Sequence, residues 1–151
     1  MSEHALWVKL REAIKGLPIH MVRVENRVGT GTPDIAYATV VLSGWIELKS
    51  IPRWPRRDGP VEMGFEKEQL MWAEDWRSMG GATWLLLKVS RPIGYWLFDL
   101  RGMQVIRNGA TRNVITSHSV WCCGSLFPRC AERLVWRLAH GSAVEYPKRL
   151  V

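Results

Sequence analysis

Asp34-Ile35-Ala36-Tyr37-Ala38-Thr39-Val40-Val41 and Trp45-Ile46-Glu47-Leu48-Lys49-Ser50, with a Ser43-Gly44 turn signal between them, read as two consecutive β-strands. Both runs are rich in the β-branched and aromatic side chains that suit a pleated, half-buried surface. In the second run the alternation of side chains puts Glu47 and Lys49 on one face and Ile46 and Leu48 on the other. A carboxylate and an amine two apart, in a strand otherwise made of Trp45, Ile46 and Leu48, break simple core patterning. Such a local conflict marks a functional position.

Outward from this pair, residues 3–17 predict an amphipathic helix with Ser2 as N-cap and Leu6, Leu10, Ala13, Ile14 and Leu17 at helical spacing, ended by Gly16 and Pro18. Residues 20–25 alternate as a first strand, and 27–33 form a loop. A proline-containing loop over 51–64 leads to a second helix over 65–79, whose inner face carries Leu70, Met71, Trp72 and Trp76 and which Gly80-Gly81 closes. Strands follow over 83–90 and 95–100; 101–119 is turn-rich; 126–139 predicts a last helix. The order is that of a mixed α/β domain, with a 1–100 core and a basic 101–151 extension packed on the same domain.

The chain has 151 residues, 47% hydrophobic and 23% charged, which predicts one folded domain and excludes disorder as the main state. No apolar run approaches the roughly 18 residues of a spanning helix, and the first residues lack a secretory pattern. No membrane association is expected. Cys122, Cys123 and Cys130 fit no disulfide pattern and are expected as buried free thiols, which suits a cytoplasmic location. Net charge is +7, and residues 101–151 carry 8 basic and 2 acidic side chains. Arg outnumbers Lys 15 to 6, which favours forked phosphate contacts and a polyanionic partner.

Asp34 and Glu47, from neighbouring strands, can share a hard divalent cation, since Mg²⁺ takes one or two carboxylates plus waters and phosphate oxygens. Lys49 beside them can hold the attacking water and stabilise charge on a phosphorane-like transition state. Together the three residues point to phosphodiester hydrolysis. One geometric condition follows. A tight hairpin at Ser43-Gly44 would set Glu47 opposite Val40, so the site requires the reversal to centre near Val40 and Val41. Trp54, set among Arg53, Arg56 and Arg57, suits contact with backbone and bases, and Arg129, Arg133 and Arg137, four apart on the last helix, suit phosphates. Most of the remaining tryptophans, Trp45, Trp72 and Trp76 among them, fall on apolar faces and are expected in the core.

Pro33-Asp34 with Glu47-Leu48-Lys49 resembles the PD-(D/E)xK nuclease superfamily. The approach Gly29-Thr30-Gly31-Thr32-Pro33-Asp34 and the later Gln69-Leu70-x-Trp72 are similar to its VRR-NUC branch, whose small members are stand-alone phage and bacterial endonucleases. The resemblance spans residues 3–90. It implies a restriction-endonuclease-like α/β core, with a helix, a three-strand meander, a helix and two further strands, followed by a C-terminal helical extension. It further implies a Mg²⁺-dependent DNA endonuclease, tolerant of Mn²⁺ and structure-specific for branched DNA such as Holliday junctions. Holliday-junction resolvases of this superfamily usually act as dimers, so a homodimer is implied too. By the same resemblance a first-helix acid and the Leu48 carbonyl join Asp34 and Glu47 at the metal, and Gln69 supports the water. Glu3 fits better than Glu12, because it lies on the face that bears Leu6, Leu10 and Ile14. The competing readings are a catalytically inactive nucleic-acid-binding protein and a protein-interaction module with the same fold.

Overall fold

A computed structural model describes residues 2–25 and 29–150, so part of the 27–33 loop lies outside the described residues. The first helix, α1 (Glu3–Ala13), starts at Ser2, whose hydroxyl accepts from the Ala5 N–H at 3.2 Å, and it buries Leu6, Trp7 and Leu10. It ends four residues earlier than the apolar spacing predicts, because the chain turns through Gly16 at φ +76° before Pro18. Strands β1 (His20–Arg23), β2 (Ile35–Ala38) and β3 (Ser43–Arg53) form an antiparallel meander. Helix α2 (Lys67–Ser78) then carries the chain to β4 (Ala82–Arg91), which lies parallel to β3, and β5 (Ile93–Phe98) returns antiparallel.

The strand expected over 34–41 stops at Ala38. The Thr39 hydroxyl accepts from the N–H groups of Val41 and Leu42, at 3.2 and 3.0 Å, and so takes donors that a longer ladder would need. The reversal therefore centres on Val40, which is 96% exposed, and Val41, with Ile35 opposite Ile46 and Ala36 opposite Trp45. One step further along this register Asp34 faces Glu47.

Residues expected as turns after 100 form α3 (Leu100–Arg107), capped by the Asp99 carboxylate, then α4 (Arg112–Ser117), and β6 (Trp121–Cys123) pairs with β5. Helix α5 (Pro128–His140) and a final 3₁₀ turn, Lys148–Leu150, complete the chain. The described residues make one six-stranded sheet in chain order. On one side α1 and α5 bury Leu6, Leu10, Leu134 and Leu138 against Ile46, Leu48 and Leu86; on the other α2, α3 and α4 bury Ala73, Met103, Ile106 and Ile115 against Leu85, Leu87 and Val89. The expected mixed α/β order, a helix, a three-strand meander, a helix and two further strands, is the one observed. A buried relay ties its first layer together: the Trp84 indole donates to the Tyr37 hydroxyl at 2.8 Å, which donates to the Leu138 carbonyl at 2.9 Å.

Two expectations about side chains fail here. Cys123 and Cys130 are joined in a disulfide, because β6 and the first turn of α5 bring their Cα atoms to 6.3 Å, and the free thiol, Cys122, is exposed on the alternate face of β6. Trp76 is 39% exposed rather than core. No described helix is long and apolar enough to cross a membrane.

Candidate active site

The odd-numbered side chains of β3 face α2, so Glu47 and Lys49 enter the sheet–helix interface and are each only 5% exposed. Asp34 sits just before β2, and its Oδ2 accepts from the Leu48 N–H at 2.8 Å. In a strand a residue's N–H and C=O point to the same edge, so the Leu48 carbonyl also opens toward the side where β2 has ended. The loop that delivers Asp34 is pressed onto α2. Gly31 has φ +84°, and a Cβ there would collide with the Glu68 carbonyl.

Gln69 is held at both ends of its amide. Its Oε1 accepts from the Glu66 N–H at 2.8 Å, as half of a capping box on α2, and its Nε2 donates to Glu47 Oε1 at 2.7 Å. The same Glu47 oxygen lies 3.2 Å from Lys49 Nζ. Glu3, at the start of α1 and half-exposed, reaches Lys49 Nζ at 3.9 Å. Burial first, then the Asp34 charge, push the Glu47 carboxyl up to about 8 against the opposing pull of Lys49. Its second oxygen, Oε2, is buried without a hydrogen-bond partner among the described residues. An orphaned carboxyl oxygen in a buried site is costly, and it is an unusual thing to leave beside a second carboxyl group.

Among the described residues no group of three or more His, Cys, Asp and Glu side chains forms a ready-made cation cage. Glu3, expected as a third ligand, reaches Lys49. The oxygens that the register sets side by side are of the kind a hard cation takes. Asp34, the orphaned Oε2 of Glu47 and the Leu48 carbonyl are all oxygens, and Mg²⁺ needs only one or two carboxylates with the rest supplied by water or substrate.

No known family profile matches this chain, and no curated protein does. Among solved structures it is similar to Hjc, a Holliday junction resolvase from the archaeal hyperthermophile Archaeoglobus fulgidus, with 23% identity over 66% of this chain and 76% of that one and a TM-score of 0.42. A likeness of that degree assigns no activity, and the chemistry is read from the side chains themselves.

The expected nucleic-acid contacts divide. Arg53, Arg56 and Arg57 are exposed, and Arg53, at the end of β3, is about 20 Å from Glu47 at the usual strand rise. Trp54 is buried, 5% exposed, because it packs edge-on against Trp96 at 5.2 Å while the Arg112 guanidinium covers it at 5.2 Å. Arg137 is buried as well. It donates to the Gly141 and Val144 carbonyls and to Tyr146, and so anchors the chain after α5. Arg133 lies over the Tyr146 ring at 4.9 Å, and α5 sits on the sheet face opposite α2, so the row Arg129, Arg133 and Arg137 is turned away from the carboxylates. Arg91 and Arg112 are two further exposed arginines that the sequence reading does not single out. The register sets Arg91 beside Arg53 on adjacent strands, and neither forms an ion pair among the described residues. Directly opposed like charges destabilise a sheet. The signal for Arg91 is its place at the end of β4, as Arg53 ends β3.

Proposed function

We propose that this protein is a divalent-metal-dependent endonuclease that hydrolyses DNA phosphodiester bonds. The observation that carries the reading is the buried pair Glu47 and Lys49, with one Glu47 oxygen orphaned and Asp34 in register beside it. Mg²⁺, with Mn²⁺ as substitute, would be held by Asp34, Glu47 and the Leu48 carbonyl, and when bound it supplies neutralisation of phosphate charge and a lowered pKa for the attacking water. Lys49 holds that water through its amine and stabilises charge that develops on the phosphate oxygens. Gln69 is a positioning residue: it locks Glu47 through Nε2 while its other end is fixed in the helix cap. Glu3 aims Lys49 from the opposite side. Arg53, Arg56, Arg57, Arg91 and Arg112 grip the phosphate backbone.

The test is incubation with supercoiled plasmid, linear duplex and a four-way junction, each in Mg²⁺, Mn²⁺ or chelator, beside Lys49→Ala and Glu47→Gln. Cleavage by the wild type in either metal, absent in chelator and in both variants, is expected. No cleavage of any DNA, or equal cleavage by variants and wild type, refutes the reading.

A further inference from the structure

We propose that the tryptophans beside the carboxylates form a nucleobase platform, so that the preferred substrates carry unpaired nucleotides next to the cleaved phosphate; this rests on the nuclease reading. Pairing places Val22, Ala36 and Trp45 in one row across β1, β2 and β3, on the same face as Asp34 and Glu47 and one row away from them. Two residues along a strand span about 7 Å. On α2, Gln69, Trp72 and Trp76 follow at helical spacing on one face, so the ring cluster begins where the carboxylates end. Trp72 and Trp76 stack at 5.3 Å, and Trp45 meets them edge-on at 5.4 and 6.0 Å.

This cluster is not closed over as a core would be. Trp76 is 39% and Val22 46% exposed, and Ala38 is exposed as well. Ala36, opposite Trp45, and Ala38 carry only methyl side chains on this face, and they form the floor beside Trp45. The exposed ring is nevertheless fixed. The Trp76 indole donates to the Ala82 carbonyl at 3.1 Å, and a Cβ at Gly81 would collide with it. A rigid aromatic face loses little freedom on binding, which is what base stacking exploits. Floor and rings contain no Lys or Arg of their own, with Arg77 adjoining Trp76 on α2, whereas Arg53 and Arg91 sit side by side at the far end of β3 and β4. The division suggests phosphates at one end of the site and a base at the other. In a continuous duplex the base faces are hidden in the stack, so the platform has a ligand only where a nucleotide is unpaired.

The experiment measures fluorescence anisotropy of a labelled duplex with a short single-stranded flap and of the same duplex without it, in chelator, with Lys49→Ala as the parent protein. Trp76→Ala and Trp76→Phe are compared in that background, with circular dichroism melting to verify folding. The parent is expected to bind the flapped DNA about tenfold tighter than the duplex. Trp76→Ala should bring that ratio close to one, and Trp76→Phe should restore most of it. A parent ratio near one overturns the platform, and so does an equal loss on both DNAs in Trp76→Ala. Because binding is read without cleavage, a failure to cut any DNA would remove the nuclease reading while this ratio still decides the platform.

Discussion

Replacing Glu47 by Gln should stabilise the metal-free protein at alkaline pH while abolishing its chemistry. The Glu47 carboxyl, ordinarily near 4.5, is raised to about 8 by burial and by Asp34. Below pH 4.5 it is protonated in both folded and unfolded chains. Between that value and about 8 the folded chain keeps a proton that the unfolded chain has released, so each rise in pH removes stability until the folded group ionises. Where the two states differ by a full proton the loss is about 1.4 kcal/mol for each step of one in pH, and it tapers near both ends of the window. The wild type should therefore lose about 3 kcal/mol between roughly pH 5 and pH 8 through this group alone. The amide in Glu47→Gln cannot ionise, and it can keep an oxygen toward Lys49 and Gln69 while its nitrogen donates toward Asp34. Urea unfolding followed by fluorescence of the nine tryptophans, in chelator at several pH values, reads the difference directly. Glu47→Gln should lack the decline, and Mg²⁺ should restore stability at pH 8 in the wild type only. Parallel pH profiles for the two proteins would refute the argument that Glu47 is held protonated by its surroundings.

Gly31→Ala forces a side chain into a left-handed conformation against the Glu68 carbonyl; it should cost at least about 1–2 kcal/mol and shift Asp34, seen as lost stability in urea together with lost Mn²⁺ affinity by calorimetry. Tyr37→Phe leaves the Trp84 indole and the Leu138 carbonyl unpaired and should cost about 1–3 kcal/mol in the same assay. Burial raises the Tyr37 hydroxyl to about 12, so the wild type should lose stability as pH climbs from 10 toward 12, and Tyr37→Phe should lose less over that range. Removing Arg53 and Arg91 together should reduce the slope of log binding constant against log salt by about 2, measured by DNA titration at several salt concentrations.

Part of the candidate site is legible in the sequence, because strand alternation isolates Glu47 and Lys49, and joining Asp34 to Glu47 requires the reversal to centre near Val40 and Val41, where it is found. What alternation cannot show is Thr39. Its β-branched shape reads as strand, while its hydroxyl ends the strand by capturing two backbone donors. Residues 101–119 are misread for a related reason: α3 and α4 are 8 and 6 residues long, too short for periodicity to stand out, and their caps lie in Asp99 and Thr111. Arg137 belongs to a four-residue repeat that looks like a phosphate-binding row until the chain after α5 folds back and takes its donors. Trp54 and Trp76 exchange their expected roles. Trp54 sits in an arginine-rich loop yet is covered by Arg112 and Trp96, whereas Trp76 lies on an amphipathic helix yet stays 39% exposed while it contacts Trp45 of β3 and Ala82 of β4. Exposure of this kind depends on which strands a helix reaches, and that is set by the sheet as a whole.

The central claim is that Lys49 and the carboxylates beside it cut DNA, and the single-turnover rate of a DNA that the wild type cleaves, with enzyme in excess and Mg²⁺ present, tests it most directly. Lys49→Ala should slow that rate at least about a hundredfold while DNA affinity in chelator stays within about twofold of the wild type. A Lys49→Ala protein that cuts at the wild-type rate would contradict the account.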